Sequence, residues 1–444
     1  MAAQSIAHSS LAVCPLILGL AAAALQHRRF SERGAARTLV LALFLGSLVA
    51  LLFELDRTRA FAPSRRWDAP IYCAAREAYD AGLSPYLVSN LKRFQAVDFS
   101  FVYPLHALLL LKPFCSGDVT FRFTVLYWAC LALAFLLSAS RLRVWPEWGL
   151  LAVLLLGGFS GTAWNFAAGN IGLVELFGFS VCYYFLIRDR PAMAALALGA
   201  TASFKLVPIL FAFCFLFLRL PPSRGRLVAY SYLSLAAGLA VSYAMSPPFF
   251  RDFVLQLLGL HPNQHAPINE VWPEGNPVFL LALKVFLADL RLDSPALISV
   301  VAAVMIFSMI TLLIRLRRRG LDDVRLFSMG ILFVMLLMPR MKPYSFTYAA
   351  LPVFFLIQGR PRTLQVGILL LGVWVPALLF DRHVIALAEY LARGPMQVWV
   401  LTYQMGCLFL CALLLAGSYL RRAPEPATPP TASRRDWPGA PRTR

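Results

Sequence analysis

The sequence predicts an all-α polytopic membrane protein of about 11–13 transmembrane helices, one per ~20 apolar residues. Three observations predict it. Hydrophobic residues make up 59% of the 444 positions and charged residues 14%, against about 45–50% and about 25% in soluble domains. Mean hydropathy is +0.69. The apolar residues form unbroken runs, not the alternation that barrel strands require. Arginine gathers in short clusters between these runs and gives a net charge of +19, the pattern that fixes cytoplasmic loops. An ordinary soluble enzyme, a disordered chain and a fibrous repeat are excluded. The clustering also argues against nucleic acid as the partner of the positive charge and for membrane lipids.

The first apolar run, Leu11 to Leu25, follows the uncharged start MAAQSIAHSS and precedes Arg28, Arg29, Arg33 and Arg37. A secretory signal carries its charge before the apolar run, so residues 1–37 read as an uncleaved extra span plus a basic cytoplasmic loop. Thr38 to Leu55 crosses outward, and residues 56–102 form a first outer loop. Arg141/Arg143, Arg188/Arg190, Arg219/Arg224/Arg226, Arg315/Arg317/Arg318/Arg319 and Arg360/Arg362 mark the cytoplasmic side. Each interval between clusters has room for one outward and one inward crossing. The turns then fall outside, near Trp164–Asn170, Ser203–Lys205, Ser246–Pro277, Arg340–Ser345 and Asp381–Pro395. Pro104–Phe114 and Pro277–Leu290 are too short to span and read as re-entrant or interfacial helices. Residues 38–420 make one transmembrane domain. Residues 421–444, rich in Pro and Arg, form a disordered cytoplasmic tail. Most of the eight cysteines sit in apolar runs as small hydrophobes, no CxxC occurs, and no disulfide framework is expected.

Ionisable groups are costly in lipid and mark function. The cytoplasmic clusters are nearly pure Arg and need only the topology argument. The outer segments mix both signs with aromatics, Asn, His and Pro, which makes them the candidate face for chemistry. In Arg65–Tyr86, Pro70 and the Ala-rich stretch to Ala81 predict a helix ending at Gly82. Asp68 precedes it, as a helix cap or as a general base. Both roles can hold, since a helix N-terminus keeps a carboxylate ionised. Asp80, at the far end of that helix, ranks second. Lys205, Arg340 and Lys342 lie at outer span ends, either as interfacial anchors or as cations for an anionic ligand. Tyr86, Tyr103 and Tyr344 read as interfacial aromatics by default. Glu175, inside the span after Asn170, either pairs with a buried partner or serves the site. His261 and His265 sit in the loop from Ser246 to Pro277, as plain loop residues or as contacts for sugar hydroxyls. Pro262 and Pro267 break the geometry a His–His metal site needs, so no metal is expected. No nucleotide-binding glycine loop and no DxD-type motif stands out, which disfavours a nucleotide-sugar donor and leaves no cofactor expected.

The first outer loop resembles that of glycosyltransferase family 87, a group of GT-C membrane enzymes. The residues that carry the likeness are Asp68, Tyr72, Ala74–Ala75, Gly82 and Pro85–Tyr86, followed by Tyr103–Pro104 closed by Pro113. Gly169–Asn170–Ile171–Gly172 stands where the family carries G-Q-x-N, and Lys205–Leu206–Val207–Pro208 where it carries K-P-x-P. Leu105, Asn170, Gly172 and Leu206 depart from the pattern. Order and spacing match over residues 38–225. Beyond them the likeness lies in hydropathy and in an outer polar turn, Pro339 to Tyr344.

The resemblance implies a GT-C-like bundle whose first outer loop is helical. It implies transfer of a sugar, a hexose such as mannose, from a polyprenyl-phosphate donor to a hydroxyl on a lipid or glycan acceptor. Transfer would be inverting, at the outer face of the plasma (inner) membrane. Asp68 would be the base, Lys205, Arg340 and Lys342 would hold the donor phosphate, and Tyr72, Tyr86, Tyr103, Asn170, His261, His265 and Tyr344 would line the substrate site. The competing reading is a transporter or flippase of a lipid-linked or polar solute. Polar residues at mid-span and two similar halves would favour it, whereas here the polar residues concentrate at one face.

Overall fold

The computed structural model describes residues 68–95, 99–140, 142, 145–219, 223–260, 276–292, 294–338, 340–379 and 397–421. The two N-terminal spans expected over residues 1–55, His261, His265 and the Pro/Arg tail lie outside the described residues. Among the described residues every regular element is helical. Six helices among the described residues are long and apolar enough to cross a membrane, with four shorter apolar helices beside them.

The elements used below are α1 (Asp68–Asp80), α2 (His106–Leu111), α3 (Val119–Ala139), α4 (Trp145–Gly157), α5 (Gly161–Ala168), α6 (Gly172–Ile187), α7 (Pro191–Phe204), α8 (Arg224–Met245), α9 (Pro247–Leu257), α10 (Phe279–Asp289), α11 (Pro295–Arg318), α12 (Asp323–Leu337), α13 (Ala350–Ile357), α14 (Arg362–Leu369) and α15 (Tyr403–Arg421). A 3-10 segment, Val207–Phe217, follows α7, and another, Pro343–Ala349, leads into α13.

The core sits around α12 and α13, whose side chains are buried almost throughout. Around them lie α6 and the 3-10 segments. Tyr183 of α6 stacks on Phe355 at 4.8 Å, and Phe215 on Phe327 at 4.9 Å. Helices in lipid gain no hydrophobic drive from meeting each other, so they meet through small residues and interhelical hydrogen bonds. The seam of α7 and α8 follows that rule, with Ala194, Ala195 and Ala202 buried on α7 and the Ser234 hydroxyl donating to the Leu196 carbonyl at 2.9 Å. The outer faces of α3, α8 and α11 stay apolar and exposed (Leu136, Leu233, Phe307), as lipid-facing surfaces must.

The two short segments keep less than a span's length. α2 continues only into a 3-10 turn, Lys112–Phe114, and α10 has 11 residues. His106 holds α2 inside the bundle through Ser242 (2.7 Å) on α8 and Ser203 (3.2 Å) on α7. The crossing after Lys205 is a 3-10 helix of 11 residues. At about 2 Å per residue it reaches roughly 22 Å, against about 16 Å for an α-helix of equal length.

One expectation is overturned. Cys73 on α1 is bonded to Cys115 beyond α2. Neither lies in a membrane-spanning run. The fold lays α1 beside the end of α2 and brings the two Cα atoms to 5.1 Å, inside the range a disulfide needs.

Helix direction sorts the bundle into two ends. α6 starts at Gly172 and runs to Arg188, and α7 returns from Pro191 to Lys205. The 3-10 segment then descends to Phe217, and α12 climbs back from Asp323 to the turn with Arg340 and Lys342. Contacts tie the arginine-rich end together. Arg219 donates its backbone N–H to Asp323 at 3.0 Å and a guanidinium hydrogen to the Arg317 carbonyl. Arg319 donates to the Leu420 carbonyl, and Arg360 lies over the Tyr419 ring.

Candidate active site

At the other end, five segments converge: the start of α1, Tyr103 before α2, the turn from α5 to α6, the end of α7, and the turn after α12. The α5–α6 turn is made by glycine. Gly169 ends α5 at φ +69°, the left-handed conformation that only glycine takes without cost. At Gly172 a Cβ would lie 2.4 Å from Asn165 Oδ1, so a side chain there would displace the Asn165 amide. Asn170 sits between the two glycines and is fully buried.

Asp68 stands in the first turn of α1, half-buried, where the positive helix end favours a carboxylate. Its Oδ2 accepts from Asn170 Nδ2 at 2.6 Å. The amide cannot turn the other way, because Asn170 Oδ1 already accepts the Gly172 N–H at 3.0 Å. The same Nδ2 reaches the Tyr103 hydroxyl at 3.2 Å, which meets the Tyr72 hydroxyl at 3.2 Å. The Ile171 N–H closes the network on Tyr72 at 3.4 Å. Asp68 is thus the charged end of a buried chain of polar groups that joins α1 to α6.

The cations come from the facing side. Backbone at Lys205 turns extended as α7 ends (φ −147°, ψ 121°). Its Nζ lies 3.8 Å from Glu175 Oε1 and 4.5 Å from the centre of the Tyr344 ring. Glu175 is 1% exposed, and among the described residues neither its oxygens nor Lys205 Nζ has a hydrogen-bond partner. The acid and the amine therefore face each other at long range, with donors and acceptors left to spare. Lys342 is half-buried in the turn after α12, and Arg340 beside it is exposed.

Burial pushes the Asp68 carboxyl up to about 6, although the Asn170 hydrogen bond and the charges of Lys205 and Lys342 pull it down. The ordinary value near 4 expected for a surface aspartate does not hold, because the folded α1 withdraws the carboxyl from water. Burial brings Lys342 down to about 8, with Asp68 pulling it up and Lys205 pushing it lower. At neutral pH the cluster holds an anionic carboxylate beside ammonium groups, and two of its members titrate close to that pH. Such a carboxylate can take a proton, and such cations can receive a phosphate.

Of the residues singled out in the sequence, Asp68, Tyr72, Tyr103, Asn170, Glu175, Lys205, Lys342 and Tyr344 gather here. Tyr86 is fully buried between Phe101 and Phe253, and its hydroxyl donates to the Tyr103 carbonyl at 2.9 Å, so it supports the Tyr103 backbone. Asp80 is exposed about 18 Å further along α1 and pairs with Arg76 at 2.8 Å. Two residues that the sequence reading passed over brace the cluster. Asn165 donates to the carbonyls of Tyr344 (3.0 Å) and Gly161 (2.8 Å). Gln404 donates to those of Phe159 (2.6 Å) and Pro343 (3.2 Å). Gln404 serves a break between α4 and α5 where Phe159 and Ser160 have φ of 50° and 52°. Non-helical backbone at such depth needs protein partners of this kind. The only signal for either residue is an amide inside an apolar run.

The family model described as Glycosyltransferase family 87 matches residues 101–339, more than half of the chain. No curated protein and no solved structure matches.

Proposed function

Because the chain belongs to glycosyltransferase family 87 and is a membrane glycosyltransferase, we propose that it transfers a hexose such as mannose from a polyprenyl-phosphate donor to an acceptor hydroxyl of a lipid or glycan. The reaction takes place at the outer face of the plasma membrane and inverts the anomeric carbon in one displacement. The reading rests on one observation, the meeting of a half-buried carboxylate, Asp68, with Lys205 and Lys342 at a single end of the bundle. Asp68 accepts the proton of the acceptor hydroxyl as that oxygen bonds to the anomeric carbon. The bond from that carbon to the phosphate oxygen breaks, and polyprenyl phosphate leaves. A phosphate is already a competent leaving group, so the ammonium groups need only neutralise the charge that develops on it. Arg340, exposed at the rim, draws the donor in. Tyr72, Tyr103 and Asn170 hold Asp68 in place, and Tyr344, under Lys205, offers a ring face to the sugar.

Membranes bearing the protein, supplied with radiolabelled polyprenyl-phosphate hexose, test the reading. Asp68→Asn is expected to lower transfer by about 10²–10⁴-fold, the usual contribution of a positioned base, at unchanged expression. Transfer at the wild-type level in Asp68→Asn overturns it, and so does movement of the labelled donor across the membrane without a covalent product.

A further inference from the structure

The arginine-rich end holds a second site with no part in this chemistry. A crevice of about 500 Å³ opens between the foot of the 3-10 segment Val207–Phe217, the start of α8 and the end of α11. Four guanidinium groups line it, those of Arg219, Arg224, Arg317 and Arg318. The rest of its wall is apolar, made by Leu216, Phe217 and Ile314. It lies far from Asp68, since the 3-10 segment that ends here begins two residues after Lys205 and covers about 22 Å.

We propose that this crevice binds an anionic phospholipid, with the phosphate headgroup among the arginines and the acyl chains along α11. Charge is the first argument. The two acids nearby are taken up. Asp322 caps α12 through the Arg325 N–H at 2.9 Å and pairs with the Arg325 side chain at 2.8 Å, and Asp323 accepts the Arg219 N–H at 3.0 Å. Among the described residues no ion pair is formed by Arg224, Arg317 or Arg318. Four guanidinium groups without matching carboxylates repel one another, and a phosphate diester relieves that repulsion while taking several forked hydrogen bonds.

Position is the second argument. On α11, Val300, Val304, Phe307, Ile310 and Ile314 are all exposed. Their spacing of three and four residues makes one continuous apolar stripe along the helix. The stripe runs straight into the crevice, because Ile314 belongs to both. A free anion uses the arginines alone, whereas a phospholipid uses the arginines, the apolar wall and the stripe together. Positive-inside logic assigns this end to the cytoplasmic leaflet, where anionic lipids meet basic pockets between helices.

The full chain, purified in detergent, is titrated with phosphatidylglycerol or phosphatidylcholine and the bound lipids are counted by native mass spectrometry. The wild type is expected to prefer phosphatidylglycerol. Arg317→Gln with Arg318→Gln is expected to weaken it about five-fold per arginine, from the usual strength of one basic side chain at a lipid headgroup. Arg188→Gln with Arg190→Gln removes the same charge at the same end outside the crevice and is expected to leave binding unchanged. Equal loss in both pairs, or no headgroup preference in the wild type, overturns the proposal. Displacement of the lipid by millimolar inorganic phosphate overturns it in favour of a free-anion site. A photoactivatable phosphatidylglycerol on the unmutated protein gives a test independent of the variants. Label on Phe217 or Ile314 supports the site, and label confined to other helices refutes it.

Discussion

Asn170→Ala removes the hydrogen bond that helps keep Asp68 ionised, together with the links of Asn170 to Tyr103 and Gly172. In the wild type, Asn170 Nδ2 lies 2.6 Å from the carboxylate, and Asp68 titrates at about 6. A hydrogen bond to a charged group contributes about 1.5–3 kcal/mol. Asp68 is half-buried, so the lower figure applies, which is roughly one pKa unit. Loss of the amide therefore moves Asp68 upward from about 6 to about 7. A base must be deprotonated to act, so the acid limb of the rate profile moves up with it. The ionised fraction falls from about a half to about a tenth at pH 6, and from about nine-tenths to about a half at pH 7. Transfer should drop about five-fold at the first pH and about two-fold at the second, with the curves converging near pH 8. The assay is the initial rate of hexose transfer in membranes at saturating donor across that range. Tyr86→Phe is the control, since Tyr86 bonds the Tyr103 carbonyl and leaves Asp68 untouched. An unmoved acid limb in Asn170→Ala, or an equal loss at every pH, refutes the assignment of Asp68 as base with Asn170 as its tuning partner.

The same profile should fall again on the alkaline side. Lys342 is brought down to about 8, and the proposed reaction uses its cation, so activity should decline as pH rises through that value. Lys342→Arg keeps the charge at all these pH values and should abolish the alkaline decline, which the same rate measurements check. The Cys73–Cys115 bond closes a span of 42 residues, which corresponds to about 4 kcal/mol of loop-closure stabilisation. Cys73→Ser with Cys115→Ser should lower the melting temperature in detergent and reduce activity in parallel. In the wild type, a maleimide-polyethylene glycol gel shift of these two cysteines should appear only after reduction.

The sequence carried the class of fold because composition and run length are bulk properties, set by the solvent in which the chain sits. It also carried the positions of the turns at Asn170, Lys205 and Lys342, since helices in lipid end where polar residues and proline accumulate. The network among those turns was out of reach. Asn170 was legible as a polar residue in a motif, but that its Nδ2 must face Asp68 follows from Gly172 claiming its oxygen, a fact of backbone geometry. The raised titration of Asp68 was out of reach as well, because burial depends on what folds over α1. The disulfide was missed because cysteine counts in apolar runs hid the pair that lies outside them. Glu175 was visible only as an acid out of place. Its partner, Lys205, lies 30 positions away and meets it because α6 and α7 form a hairpin.

That hairpin bears on which carboxylate serves as base in the proposed reaction. Glu175 and Asp68 both lie near the cations, but their surroundings differ. Glu175 is 1% exposed and faces Lys205 at 3.8 Å without a hydrogen bond. An acceptor sugar arriving from water cannot reach it, and its carboxyl faces the Lys205 ammonium group instead. Asp68 is half-buried at a helix start, open on one side and bonded on the other. Glu175→Gln keeps the shape and removes the acid, so Lys205 loses whatever electrostatic attraction the carboxyl supplies. The expected result is weaker use of donor, seen as a raised KM, with the acid limb of the profile still set by Asp68. Removing one charge of a buried pair costs about 3–5 kcal/mol when the other is left charged, but Lys205 keeps 17% of its side chain in contact with solvent, so a smaller loss of thermal stability is expected. A Glu175→Gln variant whose acid limb disappears while its KM is unchanged would reverse the two assignments and make Glu175 the base.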